Sequence, residues 1–169
     1  MNKALSKFLL INIISAIVLI VLDQLSKYAA LVYLKGKEAF VIIDGVFKLR
    51  YLENNGAAFS IMEGKQMFFI IITLVMLAVF FYIYIKLPNE KKYNSLRCIC
   101  ILLEAGAVGN LIDRVRFGYV IDFFYFELIN FPTFNVADIY ITVSMVILIF
   151  LIMFYYDEDD FSFLKRWEK

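Results

Sequence analysis

Residues 109–138 read Gly-Asn-Leu-Ile-Asp-Arg-Val-Arg-Phe-Gly-Tyr-Val-Ile-Asp-Phe-Phe-Tyr-Phe-Glu-Leu-Ile-Asn-Phe-Pro-Thr-Phe-Asn-Val-Ala-Asp. These thirty residues hold four acids, two arginines and three asparagines, and they join two strongly apolar segments, 96–112 and 139–156. Polar groups kept this close to hydrocarbon are costly and are usually functional. The flanks decide the fold. The segment 139–156 is eighteen residues long, and a helix needs about 20 to cross a bilayer core. The segment 96–112 carries Arg97, Glu104 and Asn110, with Ala105, Gly106, Ala107 and Gly109 forming a small-residue surface that lets helices approach closely.

Further back, 67–85 is nineteen residues with Thr73 as its polar exception, and Leu87-Pro88-Asn89 ends it. Near the N-terminus, 8–22 is apolar except for Asn12 and Ser15. A cleaved leader is the competing reading. No small-x-small site follows; instead come Asp23-Gln24-Leu25-Ser26-Lys27 and a second apolar stretch, 28–34. Eleven residues are nearly three whole turns, so Asn12, Ser15 and Asp23 share one face. The sequence therefore predicts one integral membrane domain over 1–169. Its helices lie near 5–27, 66–86, 95–113 and 137–156, with extracytoplasmic segments near 28–65 and 114–136. In the first of these segments, 47–53 alternates with period two, Asp44-Gly45 follows 40–43 as a hairpin turn, and Asn54-Asn55-Gly56 begins another turn. The class is an all-α membrane protein with a small sheet at the membrane surface.

Composition agrees. The chain is 63% hydrophobic, with eighteen Phe and eleven Tyr, and its mean hydropathy is +0.78; soluble domains are about half apolar. A formal charge of +1 argues against nucleic-acid binding. There is no histidine, which excludes Ser-His and Cys-His triads and His-ligated zinc. Acid–base work falls to Asp, Glu, Lys or Tyr. Cys98 and Cys100 point to different helix faces and read as packed or lipid-facing thiols.

Four spans put both termini on one side. Lys and Arg number nine with the termini and the 86–97 turn, against eight in the other two segments. The density of the 86–97 turn places that side in the cytoplasm. The same parity sets Asp23, Asn54, Asn110, Asp113, Arg114, Asp122, Asn135 and Asp138 on the other face. Asn110 and Arg114 are four residues apart; Asn135, Asp138 and Thr142 are spaced i, i+3, i+7, so each set shares a helix face. Asn135 also suits a helix cap and Asp138 a helix dipole. Two nearby carboxylates can share one proton, because like charges at short range cannot both ionise. The ionised acid then takes a proton from water while the neutral one polarises a carbonyl. Asp122 and Asp138 are the candidate pair.

Five motifs in order resemble the lipoprotein signal peptidase (signal peptidase II) family. They are Asp23-Gln24-Leu25-Ser26-Lys27, Asn54-Asn55-Gly56-Ala57-Ala58-Phe59, Gly109-Asn110-Leu111-Ile112-Asp113-Arg114, Gly118-Tyr119-Val120-Ile121-Asp122-Phe123 and Phe134-Asn135-Val136-Ala137-Asp138. The resemblance covers about 8–155 and leaves the acidic-then-basic tail outside. It implies four transmembrane helices, a small extracytoplasmic β-cradle and a short amphipathic helix. The implied activity is an aspartic endopeptidase that removes the signal peptide of diacylglyceryl-modified prolipoproteins just before the lipidated cysteine. Asp122 and Asp138 match the catalytic acids; Asn110, Arg114 and Asn135 match supporting positions; Asp23 and Asn54 match orienting or structural ones; and Asp113 is expected to partner an arginine. No cofactor or metal is implied. The expected partners are lipidated prolipoproteins and membrane lipids, and the chain is expected to act as a monomer. The expected location is the bacterial cytoplasmic membrane, with the site extracytoplasmic. The Ala-Gly surface near 105–109 is expected to take the signal-peptide helix. Competing readings are a small transporter or channel with Asp23, Glu104 and Asp138 as its polar path, and an inert scaffold. Glu104 departs from the pattern. It lies about 9 Å below Asn110 at 1.5 Å per residue, off that residue's face, and is expected to be neutral, or to bond across helices to a group such as Asn12, Ser15 or Thr73, without a catalytic role.

Overall fold

The computed structural model describes residues 3–56 and 65–164. The small-residue run from Ala57, and the amphipathic helix implied by the family, lie at least in part outside the described residues. Four helices are long and apolar enough to cross a membrane: α1 (Lys3–Tyr33), α2 (Gln66–Lys86), α3 (Asn94–Phe117) and α4 (Val136–Phe154). Three strands, β1 (Phe40–Ile43), β2 (Phe47–Asn54) and β3 (Val120–Phe126), form one antiparallel sheet in the order β1-β2-β3. The class read from the sequence holds: a mostly helical membrane protein with a small sheet.

α3 is the central helix. Of its span 61% is buried, against 11% or less for the other three, and it packs on α1, α2 and α4. Its glycines explain how. A Cβ on Gly106 would lie 2.6 Å from the Ala137 carbonyl oxygen and 2.8 Å from Ile141 Cγ1; one on Gly109 would lie 2.5 Å from Asp23 Oδ2. Close approach here requires glycine. This corrects the expectation for 105–109. The Gly106 and Gly109 surface is filled from within, by α4 and Asp23, and of that run only Ala107 borders the open cleft.

The ends of the elements are set locally. Gly118, at φ +80°, closes α3 in the left-handed conformation, its N–H donating to the Arg114 carbonyl at 3.0 Å. Gly45 at φ +67° turns β1 into β2, and Val46 N–H donates to Ile43 O at 3.0 Å. β2 and β3 pair Leu49 with Phe124 and Leu52 with Asp122, so two β2 residues face one on β3. That is a β-bulge, which bends a strand and re-aims side chains beside a site. After β3 the chain doubles back, and Phe134 pairs with Phe124. β3 is thus covered on both faces, with Val120, Ile121, Asp122 and Phe123 all buried. At the opposite end of the bundle Tyr93, Leu96, Leu87 and Tyr156 form an apolar cluster, joined by Phe161 and Phe163 from the short 3-10 segment Glu158–Leu164.

Candidate active site

The return at Phe134 places Asn135 beside Asp122 and starts α4 there. Asn135 Oδ1 accepts from Asp138 N–H at 3.0 Å, and Asp138 Oδ2 accepts from Asn135 N–H at 3.1 Å. This is a reciprocal capping box. The cap does more than start the helix, because Asn135 Nδ2 donates to Asp122 Oδ1 at 2.7 Å and to Asn110 Oδ1 at 3.1 Å. One asparagine therefore bridges both candidate acids.

Each acid meets a further amide donor. Asn54 Nδ2 donates to Asp122 Oδ2 at 2.8 Å, and Asn110 Nδ2 donates to Asp138 Oδ1 at 2.8 Å. Asn54 reaches across because Asn54 and Val120 are paired in the sheet. Its own Oδ1 is held by Gly56 N–H at 3.0 Å. Asp122 is 1% exposed. Burial first, and then the charge of Asp138, push its carboxyl up from 3.8 to about 7, against the opposing pull of Asn54, Asn135 and the Lys27 cation. A carboxyl of this kind can hold a proton near neutrality.

Below the acids sits a buried ionic cluster. Lys27, 1% exposed, lies 3.0 Å from Asp23 Oδ2 and 3.1 Å from Asp113 Oδ2, and donates to Asn110 Oδ1 at 2.9 Å. Asp23 Oδ1 accepts from Ala137 N–H at 2.9 Å, and Asp113 Oδ2 accepts from Ile121 N–H at 3.1 Å. Gln24 Nε2 also donates to Asp113 Oδ1 at 3.0 Å. The partner of Asp113 is thus a lysine and not an arginine. Lys27 belongs to a motif that the sequence displays, yet residue spacing alone assigned it no role. Its signal was an Asp-Lys pair four residues apart inside an apolar helix, where neighbours on one face meet.

The two acids stand at the head of a cleft of about 800 Å³ between α2, α3, α4 and the sheet. Asn54, Asn110, Arg114, Asp122 and Asp138 line its polar end; Ile72, Met76, Phe80, Leu103, Ile141 and Met145 line the rest. The Arg114 guanidinium lies 5.1 Å from the centre of the Phe69 ring, and Nη1 has a long 3.5 Å contact to the Asn110 carbonyl. Its Nε has no partner among the described residues, which leaves a donor beside the cleft. Arg116 is exposed over the Phe117 ring. Glu104 is elsewhere. Asn12 Nδ2 donates to its Oε2 at 3.1 Å, whereas Thr73 bonds its own backbone at Phe69 O.

The fold and this cleft define a multi-pass membrane protein with paired carboxylates opening onto an apolar channel. Comparison with known proteins gives the family. The model described as Signal peptidase (SPase) II matches residues 15–154, and the chain belongs to that family. A lipoprotein signal peptidase of Caldanaerobacter subterraneus subsp. tengcongensis is 46% identical over 134 residues, covering 79% of this chain and 89% of its own. One of Streptococcus pyogenes serotype M5 is 37% identical over 150 residues, covering 89% of this chain and 95% of its own. A solved bacterial membrane enzyme superposes with a TM-score of 0.75 at 34% identity, covering 94% of this chain and 92% of its own. The family cleaves the signal peptides of lipoproteins.

Proposed function

We propose that this chain is an aspartic endopeptidase of the bacterial cytoplasmic membrane. It removes the signal peptide from prolipoproteins whose cysteine already carries diacylglycerol, cutting just before that cysteine on the extracytoplasmic side, and it works as a monomer. The observation that carries the reading is the bridge through Asn135, which ties Asp122 to Asp138 at the polar head of an apolar cleft. The signal-peptide helix lies along Ile72, Met76, Phe80 and Met145, and the scissile bond reaches the acids at the helix ends.

The pair holds one proton between them, since two adjacent carboxylates do not both ionise readily. The ionised acid removes a proton from water as its oxygen attacks the scissile carbonyl carbon. The neutral acid gives its proton to the carbonyl oxygen. The resulting tetrahedral diol collapses: the acid that has just gained a proton gives it to the cysteine nitrogen, the C–N bond breaks, and the other acid takes a proton back from a diol hydroxyl as the new carbonyl forms, which restores the shared proton. Asn54, Asn110 and Asn135 fix the carboxylates so that little reorganisation accompanies the step. Arg114, Asp23 and Asn54 support this geometry without exchanging protons.

The test is cleavage of a diacylglyceryl-modified peptide by purified protein in lipid. Asp122→Asn and Asp138→Asn each lower turnover by at least about 10³-fold in protein that still folds. Robust turnover by either would sink the dyad. Equal cutting of the unlipidated peptide would remove the substrate class.

A further inference from the structure

We infer that Lys27 is a positioning residue for the reaction, acting on both acids through the side chains around it. This rests on the proposed role of Asp122 and Asp138. Lys27 is buried on α1 and touches neither acid. Yet its contacts to Asp23, Asp113 and Asn110 each lead to one of them. Through Asp23 it holds the Ala137 N–H, and with it the first turn of α4 that carries Asp138. Through Asp113 it holds the Ile121 N–H, one residue before Asp122 on β3. Through Asn110 it settles an orientation. A lysine ammonium only donates, so it fixes which end of the amide faces it. Asn110 Oδ1 turns to Lys27, and Nδ2 is left to donate to Asp138. Asn135 Nδ2 depends on the same choice, since it too donates to that oxygen. An apolar residue at 27 would leave two buried carboxylates against each other and free the Asn110 amide to turn.

The cation also bears on the protons. The charges that bear on Asp122 are Asp138 from α4, Arg114 from α3 and Lys27 from α1; Asp23 from α1 bears on Asp138, and Asp113 from α3 shares the Lys27 ammonium with Asp23. Among these Lys27 pulls the Asp122 carboxyl downward. Its loss lets the pair keep its proton to higher pH.

Two variants of the full chain in lipid separate the two effects. Lys27→Met removes one positive charge from the cluster. The double variant Lys27→Met, Asp113→Asn removes one charge of each sign, and the new amide at position 113 still offers an oxygen to Ile121 N–H. In the single variant kcat falls by about 10²-fold, the cost of a misplacement near 1 Å. Its alkaline limb moves up by about half to one pH unit, in line with the loss of a nearby opposite charge. In the double variant the limb returns toward wild type while kcat stays low, because Asn110 is still unanchored. KM changes little in both, since Lys27 does not line the cleft. A double variant with wild-type kcat overturns the proposal, and so does a folded single variant whose alkaline limb does not move. If the single variant does not fold, kcat of the double variant decides. Failure of the dyad itself shows separately, as turnover by Asp122→Asn.

Discussion

At the residue scale, the site is a chain of amides that hold acids. Asn110 and Asn135 each use both ends of the side chain, the amide nitrogen donating to an acid and the oxygen accepting from Lys27 or from the Asp138 N–H. Asp122 sets the pH behaviour. Its carboxyl titrates near 7 in the folded protein, well above the ordinary value of 3.8. The folded state therefore binds the proton more tightly than the unfolded one across that interval. Stability from this group is full below about pH 4, is lost as pH rises to about 7, and is flat beyond. Asp122→Asn removes the titration but turns an amide N–H toward Asn54 or Asn135 Nδ2, so the slope is the diagnostic: between about pH 4 and 7 the melting temperature of wild type should fall more than that of the variant, while turnover is lost. Parallel curves would contradict this. For wild type, turnover should fall as pH climbs through about 7 and the shared proton leaves. The arginines differ in the same local terms. Arg114 lines the cleft with an Nε that no described residue engages, while Arg116 is exposed. Arg114→Ala should lower kcat/KM by more than about tenfold, and Arg116→Ala by less than about twofold, because exposed charges contribute little. Equal losses would remove the distinction.

At the element scale, α3 does two jobs, and its sequence shows why only one is legible beforehand. Its polar end is readable: Asn110, Asp113 and Arg114 follow an apolar run and fall on the membrane face that parity assigns. Its small residues are readable as a contact surface, but not which contact. Gly106 and Gly109 could have faced a substrate helix; they face Ala137 and Asp23, a long-range fact. β3 is harder still. It is buried on both faces, so the alternation that marks a half-exposed strand is missing from 120–123. Gly109→Ala tests the packing. Its Cβ meets a carboxylate that Lys27 and the Ala137 N–H already pin, so relief by rotation is blocked. Overpacking of this kind costs about 1–3 kcal/mol, and both melting temperature and turnover should fall; an unchanged melting temperature would show that α3 is free to shift. Glu104 is the contrary case on the same helix. It bonds Asn12 on α1, away from the acids. Glu104→Gln should keep turnover within about twofold. Glu104→Leu should lower the melting temperature, since Asn12 loses an interhelical bond of about 0.6–2 kcal/mol. If Glu104→Gln abolished turnover in folded protein, its charge would belong to the chemistry.

At the scale of the whole molecule, the two ends of the bundle do different work. The polar end holds the acids. At the other end, the chain after α4 folds back onto the turn between α2 and α3. The family match stops at residue 154, so this acidic-then-basic segment lies beyond the shared pattern, and the resemblance assigns it no role. The structure gives it partners. Lys92 pairs with Asp160 at 2.6 Å, and Tyr93 Oη donates to the Asp160 carbonyl at 3.0 Å. Lys92 holds the Asp160 carboxyl below its ordinary range, so the pair persists through neutral pH. Tyr93 meets Phe163 edge to face at 5.7 Å, and Phe161 stands edge to face on Tyr156 at the same spacing. These contacts add to the direct link between the turn and the end of α4, the stacking of Tyr93 on Tyr156 at 6.1 Å. Deleting 157–169 removes them and leaves Tyr156 in place, its hydroxyl still donating to the Lys92 carbonyl at 2.7 Å. The ion pair is partly exposed and contributes about 0–1 kcal/mol; the aromatic contacts add about 0.5–1.5 kcal/mol each beyond their buried area. The truncated protein should therefore unfold at a temperature several degrees lower. The acids lie at the other end of α4, whose 19 residues span about 28 Å at 1.5 Å per residue, so cleavage of the lipidated peptide should stay within about twofold of wild type at temperatures where the fold persists. A large loss of turnover with no change in melting temperature would mean that the tail communicates with the site through the bundle and does more than fasten its far end.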